Sequence, residues 1–232
     1  MRKLLLSTLL LFASLSVFSQ SADKGLFTIK VGAGAGLLTT TSNDGGNNKG
    51  YALPTILGLE FGYTTHDRVS LGLDAFSHTY SADDTSVISI GGGALGIDLH
   101  YFLTNKEKSN TFIGTTIGII GLQYNAYNYP DSGSVDSVRK DVWSEARGIY
   151  NKVYLGYNRY FGNTFGLYIK AGFMNIPLRM KYVTVDDVEV DYIDKRPIDS
   201  WNALFRGGFV NFGLTFKLGG KKSKKVEDEP KE

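Results

Sequence analysis

The chain of 232 residues contains no cysteine. That excludes a disulfide scaffold, thiol catalysis, a cysteine-ligated metal and an acylated-cysteine lipoprotein anchor. Beyond residue 19 it also lacks any apolar run of the ~18 residues that a membrane helix needs. Net charge is scarce as well. Residues 1–19 hold two bases, Arg2 and Lys3, and no acid, so the 25 bases fall to 23 against 23 acids once that segment is set aside. No global basic field exists to draw in nucleic acid.

What is abundant is aromatic and small. Fourteen Tyr and fourteen Phe are too many apolar rings to leave solvated, which rules out a disordered chain. Glycine, at 28 residues or about 12%, stands well above the usual ~7%. It does not recur at every third position, so the chain is not collagen-like.

Residues 1–19 read as a secretory signal. Arg2 and Lys3 open it, an apolar stretch from Leu4 to Val17 follows, and Val17 and Ser19 satisfy a small-x-small cleavage rule. Residues 20–218 then form one unit and residues 219–232 a charged tail. That tail, Lys221, Lys222, Lys224 and Lys225 followed by an acidic stretch, has almost no apolar content and is expected to be disordered.

From residue 26 onward apolar residues recur at every second position, the period of a strand. Phe27, Ile29, Val31, Ala33, Ala35 and Leu37 share one face of the first row, with Lys30 and glycines on the other. The same alternation runs through Leu57 to Tyr63, Val69 to Ala75, Leu95 to Leu103, Ile113 to Ile119, Val153 to Phe161, Phe165 to Phe173 and Val210 to Leu218. Eight rows result, each long enough for a tilted membrane strand of 9–11 residues. Connections near 64–68, 104–110 and 162–164 are short. Those at 39–52, 125–148 and 175–205 are long, and the one at 81–86 is short.

The apolar faces carry a single charge, Arg159, two residues from a turn, where a base costs little. Phe27, Phe61, Tyr63, Tyr101, Tyr157, Phe161, Phe165 and Phe216 gather at the short-turn rim as an interfacial girdle. A soluble barrel would point its apolar face inward and its charges outward. Here the face bearing Lys, Asp and Glu is also the glycine-rich one, as a crowded narrow interior requires. The expected fold is an all-β, eight-stranded antiparallel up-and-down transmembrane β-barrel with short periplasmic turns, long outer loops and both termini periplasmic.

The signal segment, the eight rows and a last strand ending Phe212-Gly-Leu-Thr-Phe216-Lys-Leu218 resemble the small outer-membrane β-barrel family of OmpA-type transmembrane domains and OmpX- and OmpW-like proteins. The Gly- and Tyr-rich style is similar to porin-like barrels of Bacteroidota. The resemblance covers about residues 25–218. It implies a Gram-negative outer membrane, contact with outer-membrane lipid and the barrel-assembly machinery, and an activity that is an anchor, an adhesin, a small pore or, rarely, an enzyme. Such barrels commonly end on an aromatic residue. Here fourteen polar residues follow Leu218, so insertion would read an internal signal around Phe216.

Counted up from the short turns, Lys30, Glu60, Asp74, Asp98 and Lys170 fall in one inward layer. Buried charges must pair, so Lys30 and Lys170 are expected to face Glu60, Asp74 and Asp98, with Lys217 below and Lys152 above. Such a belt is a structural plug or, in a sharper reading, a gate. Gly32, Gly34 and Gly36 leave room for Tyr154, Tyr168 and Phe76. They are not a nucleotide loop, because they open no helix. Ser77 and His78 are adjacent and fall on opposite faces, so they do not form a catalytic pair. His78 and His100 lie at different heights and His66 in a turn, so no metal site is read, and nothing in the sequence requires a cofactor. In the outer loops Tyr127, Tyr129, Trp143, Tyr182, Tyr192 and Trp201 are candidate contacts for an extracellular ligand. A hairpin is expected across Asp186-Asp187. The leading reading is a plugged, non-enzymatic anchor that displays its loops. The alternatives are a small pore for small or hydrophobic solutes and a lipid A-modifying enzyme.

Overall fold

Inward Lys30 pairs through the backbone with inward Glu60, and Glu60 with inward Asp74. The alternation that sorts these residues to one face therefore also fixes the register, since a slip of one residue would turn every charge toward the other face. The computed structural model describes residues 25–42, 48–80, 87–106, 108–128, 140–193, 196–197, 200 and 202–219. The segment expected as a secretory signal, the tail from 220 onward, Tyr129 and Trp201 lie outside the described residues.

Eight strands build the barrel: β1 (Phe27–Ser42), β2 (Pro54–His66), β3 (Val69–Tyr80), β4 (Val87–Lys106), β5 (Ser109–Asn128), β6 (Lys140–Phe161), β7 (Phe165–Val185) and β8 (Asn202–Leu218). Each pairs antiparallel with the next. β8 closes the ring on β1 over their whole length, from Phe27 opposite Leu218 to Ser42 opposite Ala203. Closure removes the free edges that a sheet in lipid could not tolerate. No helix among the described residues is long and apolar enough to cross a membrane.

The strands run further than the apolar alternation alone foretells. β5 reaches Asn128 and β6 begins at Lys140, while β7 reaches Val185 and β8 begins at Asn202. Much of the stretches expected as loops at 125–148 and 175–205 is therefore strand. Above an apolar band both faces of a ribbon meet water, so backbone pairing continues after the hydrophobic alternation has stopped. The strand 48–52 likewise folds back on β1, from Leu38 opposite Ala52 to Ser42 opposite Asn48. At the tip of β7, Val185 pairs with Val188 across Asp186 and Asp187, which have φ of 52° and 65°. Two successive positive φ values define a type I′ turn, and Asp is among the residues that accept them.

The outer wall is apolar around its circumference. Ile97, Ile117 and Ile119 are 56%, 60% and 67% exposed to solvent, and Leu57, Leu73, Val153, Ile169 and Phe212 stand out in the same way. A continuous apolar surface of this extent calls for a solvent other than water. At the short-turn end the girdle residues cluster. Phe27 lies 4.7 Å from Tyr63, Phe161 6.2 Å from Phe165, and Phe165 5.6 Å from Phe216. Phe61 pairs with Ile29, Tyr101 with Val69 and Tyr157 with Thr111 at the same end. Arg159 pairs with Ser109 beside these turns.

The outer wall generates a depth test. Ile97→Arg places a base in the middle of the apolar band and should cost about 2–4 kcal/mol in lipid vesicles, whereas Thr79→Arg near the long-loop rim should cost about 0–1 kcal/mol. Urea titrations read by the migration difference between boiled and unboiled samples would measure both. Equal costs would mean that the band does not face hydrocarbon.

Candidate interior charge cluster

An eight-stranded ring is just wide enough for side chains to fill its interior. Seven inward strand positions, six of them charged and the seventh His100, bring their side chains together there. The Lys30 ammonium donates to Glu60 Oε1. Lys170 Nζ donates to Glu60 Oε2 at 2.8 Å and to Asp74 Oδ1 at 3.5 Å. Lys152 donates to Asp74 Oδ2. Asp98 Oδ1 accepts from Thr116 Oγ1 at 2.7 Å and from the Tyr154 hydroxyl. His100 Nε2 lies 2.7 Å from Asp98 Oδ2, 2.8 Å from Tyr154 Oη and 3.6 Å from Glu60 Oε1. All seven side chains, the three acids, three lysines and His100, are buried.

Backbone pairing accounts for this convergence. Glu60 sits between Lys30 and Asp74 on its neighbouring strands, Asp98 sits opposite Thr116, and Thr116 opposite Lys152. Strand tilt then lifts Lys170, whose backbone partners are Gly156 and Asn211, to the carboxylates across the lumen. Three carboxylates meet three ammonium groups, so these six charges balance.

Each ammonium also lies against a ring. Lys30 sits 4.6 Å from the Phe112 centroid, Lys152 4.2 Å from Phe76 and Lys170 4.9 Å from Tyr154. Such cation–π contacts are strongest when water is excluded. Small inward residues make the space. A Cβ on Gly114 would come 2.3 Å from the Tyr154 ring, and one on Gly32 2.2 Å from Tyr168 Oη. Tyr154 thus packs over Gly114 rather than over 32–36, and the ring neighbouring Phe76 is Tyr150, edge-on at 5.2 Å.

The structure redraws the expected belt in two places and leaves Lys217 below it. Lys152 joins it directly on Asp74 instead of standing above it. Asp98 takes His100, Thr116 and Tyr154 as its partners rather than Lys30 or Lys170. Lys217 lies with its ammonium 3.7 Å from the Tyr160 ring toward the short-turn end. His100 was legible as inward-facing by parity, but not as a cluster member, because height along one strand says little about tilt-related neighbours on the next.

On its long-loop side the cluster is covered by apolar side chains. Leu38, Ile56, Ile120, Leu122, Ile176 and Leu178 are buried in the lumen. Consecutive apolar pairs such as Leu37-Leu38 and Ile119-Ile120 carry the signal for this layer. His78 shares it, 5.8 Å from Phe76 and 5.2 Å from Tyr80, with both ring nitrogens buried and without a hydrogen-bond partner. Ser77 faces outward on the same strand, so the two form no nucleophile–base pair.

The ligand atoms of Glu60, Asp98 and His100 lie within 4.8 Å of one another. That is metal-ligand spacing, but Lys30 and Lys170 already occupy both Glu60 oxygens. The ammonium groups neutralise the carboxylate that a cation would need. Among the outer-loop candidates, Trp143 and Tyr182 stack edge-to-face at 5.4 Å between β6 and β7. Tyr127 lies in β5 opposite Asp141, and Tyr192 pairs with Pro197 in a short separate ladder.

Breaking this network should be costly. Lys170→Met leaves a buried carboxylate uncompensated and should destabilise the barrel by about 3–5 kcal/mol. Adding Glu60→Gln restores the charge balance and should recover part of that loss, with a coupling of about 0.5–3 kcal/mol in a double-mutant cycle. Strictly additive losses in urea titration would show that the charges do not act as one unit.

No family model and no curated protein matches the sequence. Solved structures do. The outer membrane protein OprG from Pseudomonas aeruginosa superposes with a TM-score of 0.50 at 15% identity, over 86% of this chain and 99% of that one. AlkL, solved in DMPC lipid bilayers, gives 0.49 at 14% identity over 88% and 96%. Neisserial surface protein A gives 0.45 at 13% identity over 82% and 97%. With the closed ring of eight antiparallel strands, the fold is that of the small outer-membrane β-barrels.

Proposed function

We propose that the chain is a non-enzymatic integral outer-membrane protein of a Gram-negative bacterium, Bacteroidota-type in style. In this reading both termini are periplasmic, the interior is plugged, and the barrel anchors and displays its outer strands and loops. The observation that carries the reading is the cluster of three carboxylates and three ammonium groups, buried in full and covered by apolar side chains on its long-loop side. A water-filled pore is lined by polar groups that stay solvated. Here every ammonium is instead committed to a carboxylate and a ring face. Outer-membrane lipid meets the apolar wall, and the barrel-assembly machinery inserts it. Trp143 and Tyr182, stacked at the loop end, are the start of a surface that an extracellular ligand would contact.

A second reading rests on the apolar upper lumen. Leu38, Ile56, Ile120 and Leu178 would accept a hydrophobic solute better than an ion. Transport would then require the charge cluster to open or the solute to leave through the wall.

Conductance in a planar bilayer tests the plug. The refolded protein, shown inserted by its migration shift on boiling, should give no stable steps. Reproducible steps would overturn the plug. Orientation is tested independently with Ser134→Cys, the sole thiol in a cysteine-free chain. A membrane-impermeant maleimide should label it on intact cells, and labelling only after the outer membrane is opened would invert the topology.

A further inference from the structure

Among the described side chains, the eight barrel strands carry no charge on the outer wall at the long-loop end around most of its circumference. Thr39, Thr41, Thr55, Thr79 and Gln123 face outward there on β1, β2, β3 and β5. On β6 to β8 the same level carries Arg147, Arg179, Lys181 and Arg206, all exposed. Arg147 and Arg179 are direct backbone partners on adjacent strands. Like charges placed directly opposite each other destabilise a sheet unless something neutralises them. Glu145 accepts the Arg147 Nε–H and offsets one of these four charges. The patch retains a net charge of three. It borders a pocket of about 670 Å³ whose lining includes Arg147, Arg179, Ile149, Pro177, Leu204 and Thr41.

Height fixes what solvent this patch meets. Arg147 lies fourteen residues from Phe161, Arg179 fourteen from Phe165 and Arg206 twelve from Leu218. Tilted strands gain about 2.6 Å of height per residue, which puts these bases about 30–36 Å above the short turns. The apolar band of such a barrel is roughly 25 Å tall with a girdle on each side. The bases therefore stand at the headgroup level, directly above the acyl region.

We propose that this patch binds a phosphorylated glycolipid of the outer leaflet. Its phosphate would lie between Arg147 and Arg179, and its acyl chains would run down past Ile149, Pro177 and Leu204. Guanidinium forks match phosphate oxygens two at a time. The phosphate removes the repulsion between the two arginines, and the apolar lining meets the part of the ligand that water rejects. The outer-leaflet source of the ligand rests on the orientation given under Proposed function.

The test is a titration of the refolded full chain with diphosphorylated lipid A, followed by native mass spectrometry. Each base near a membrane surface contributes roughly fivefold in affinity, so R147Q/R179Q should bind about 25-fold more weakly. Lipid A stripped of its phosphates should bind both proteins equally. K106Q/K108Q, which removes two bases at the opposite rim, should bind as the unchanged protein does. Full affinity in R147Q/R179Q, undiminished binding of the dephosphorylated lipid, or an equal loss in K106Q/K108Q would each overturn the proposal. Both arginines are exposed, so the variant should keep its migration shift. The labelling of Ser134→Cys reports on orientation alone. Labelled cells combined with unchanged lipid affinity would sink the patch and leave the topology standing.

Discussion

Lys170 joins two carboxylates that strand pairing forces together. Glu60 and Asp74 are backbone partners on β2 and β3, and their inward side chains would repel at close range in a space that water scarcely reaches. The Lys170 ammonium, reaching from β7, contacts both, while Lys30 and Lys152 neutralise their remaining oxygens. The strands concerned lie on different sides of the ring. Satisfying the pair therefore requires the barrel to be closed with its final register, and an open or slipped sheet would leave charges buried without partners. A buried ion pair is weak as a source of stability. Its value here is that wrong closures become costly.

The two faces of each strand obey opposite rules for this reason. Outside, any apolar residue of fitting size serves, and Leu, Ile, Val and Phe alternate freely along the wall. Inside, volume and charge are both specified, residue by residue. Gly114 must be small because Tyr154 lies over it, and Tyr154 must be there because its hydroxyl reaches Asp98.

The outward rule is the one a sequence displays openly. A period of two over eight rows announced the strands, their inward and outward faces and the short turns. Counting residues from those turns also gathered Lys30, Glu60, Asp74, Asp98 and Lys170 into one layer. The inward rule was legible only in part. Lys152 and His100 stood on the correct face, but their partners depend on tilt, which shifts each strand's height against the next by an amount no single row reveals. The upper extent of the strands was hidden for a different reason. Past the apolar band the outward residues turn polar, and β6 from Lys140 to Gly148 then reads as loop although its backbone is fully paired. The apolar cap of the lumen was masked by the neighbouring outward residues, because Ile119-Ile120 reads as one hydrophobic pair and not as one residue for lipid and one for the interior.

The distribution of charge along the barrel follows from where water is. At mid-height the wall carries none, and the interior carries charges only in neutral sets. At the long-loop rim the interior set is finished and capped by Leu38, Ile56 and Leu178, so the charges that remain are on the outside. They are not spread evenly. They collect on the three adjacent strands β6 to β8. A symmetric rim would suit a barrel that needs only to stop sliding through the bilayer. An uneven one, with two arginines as direct cross-strand partners, favours one side of the wall over the others, which is what the proposed contact with an anionic headgroup requires.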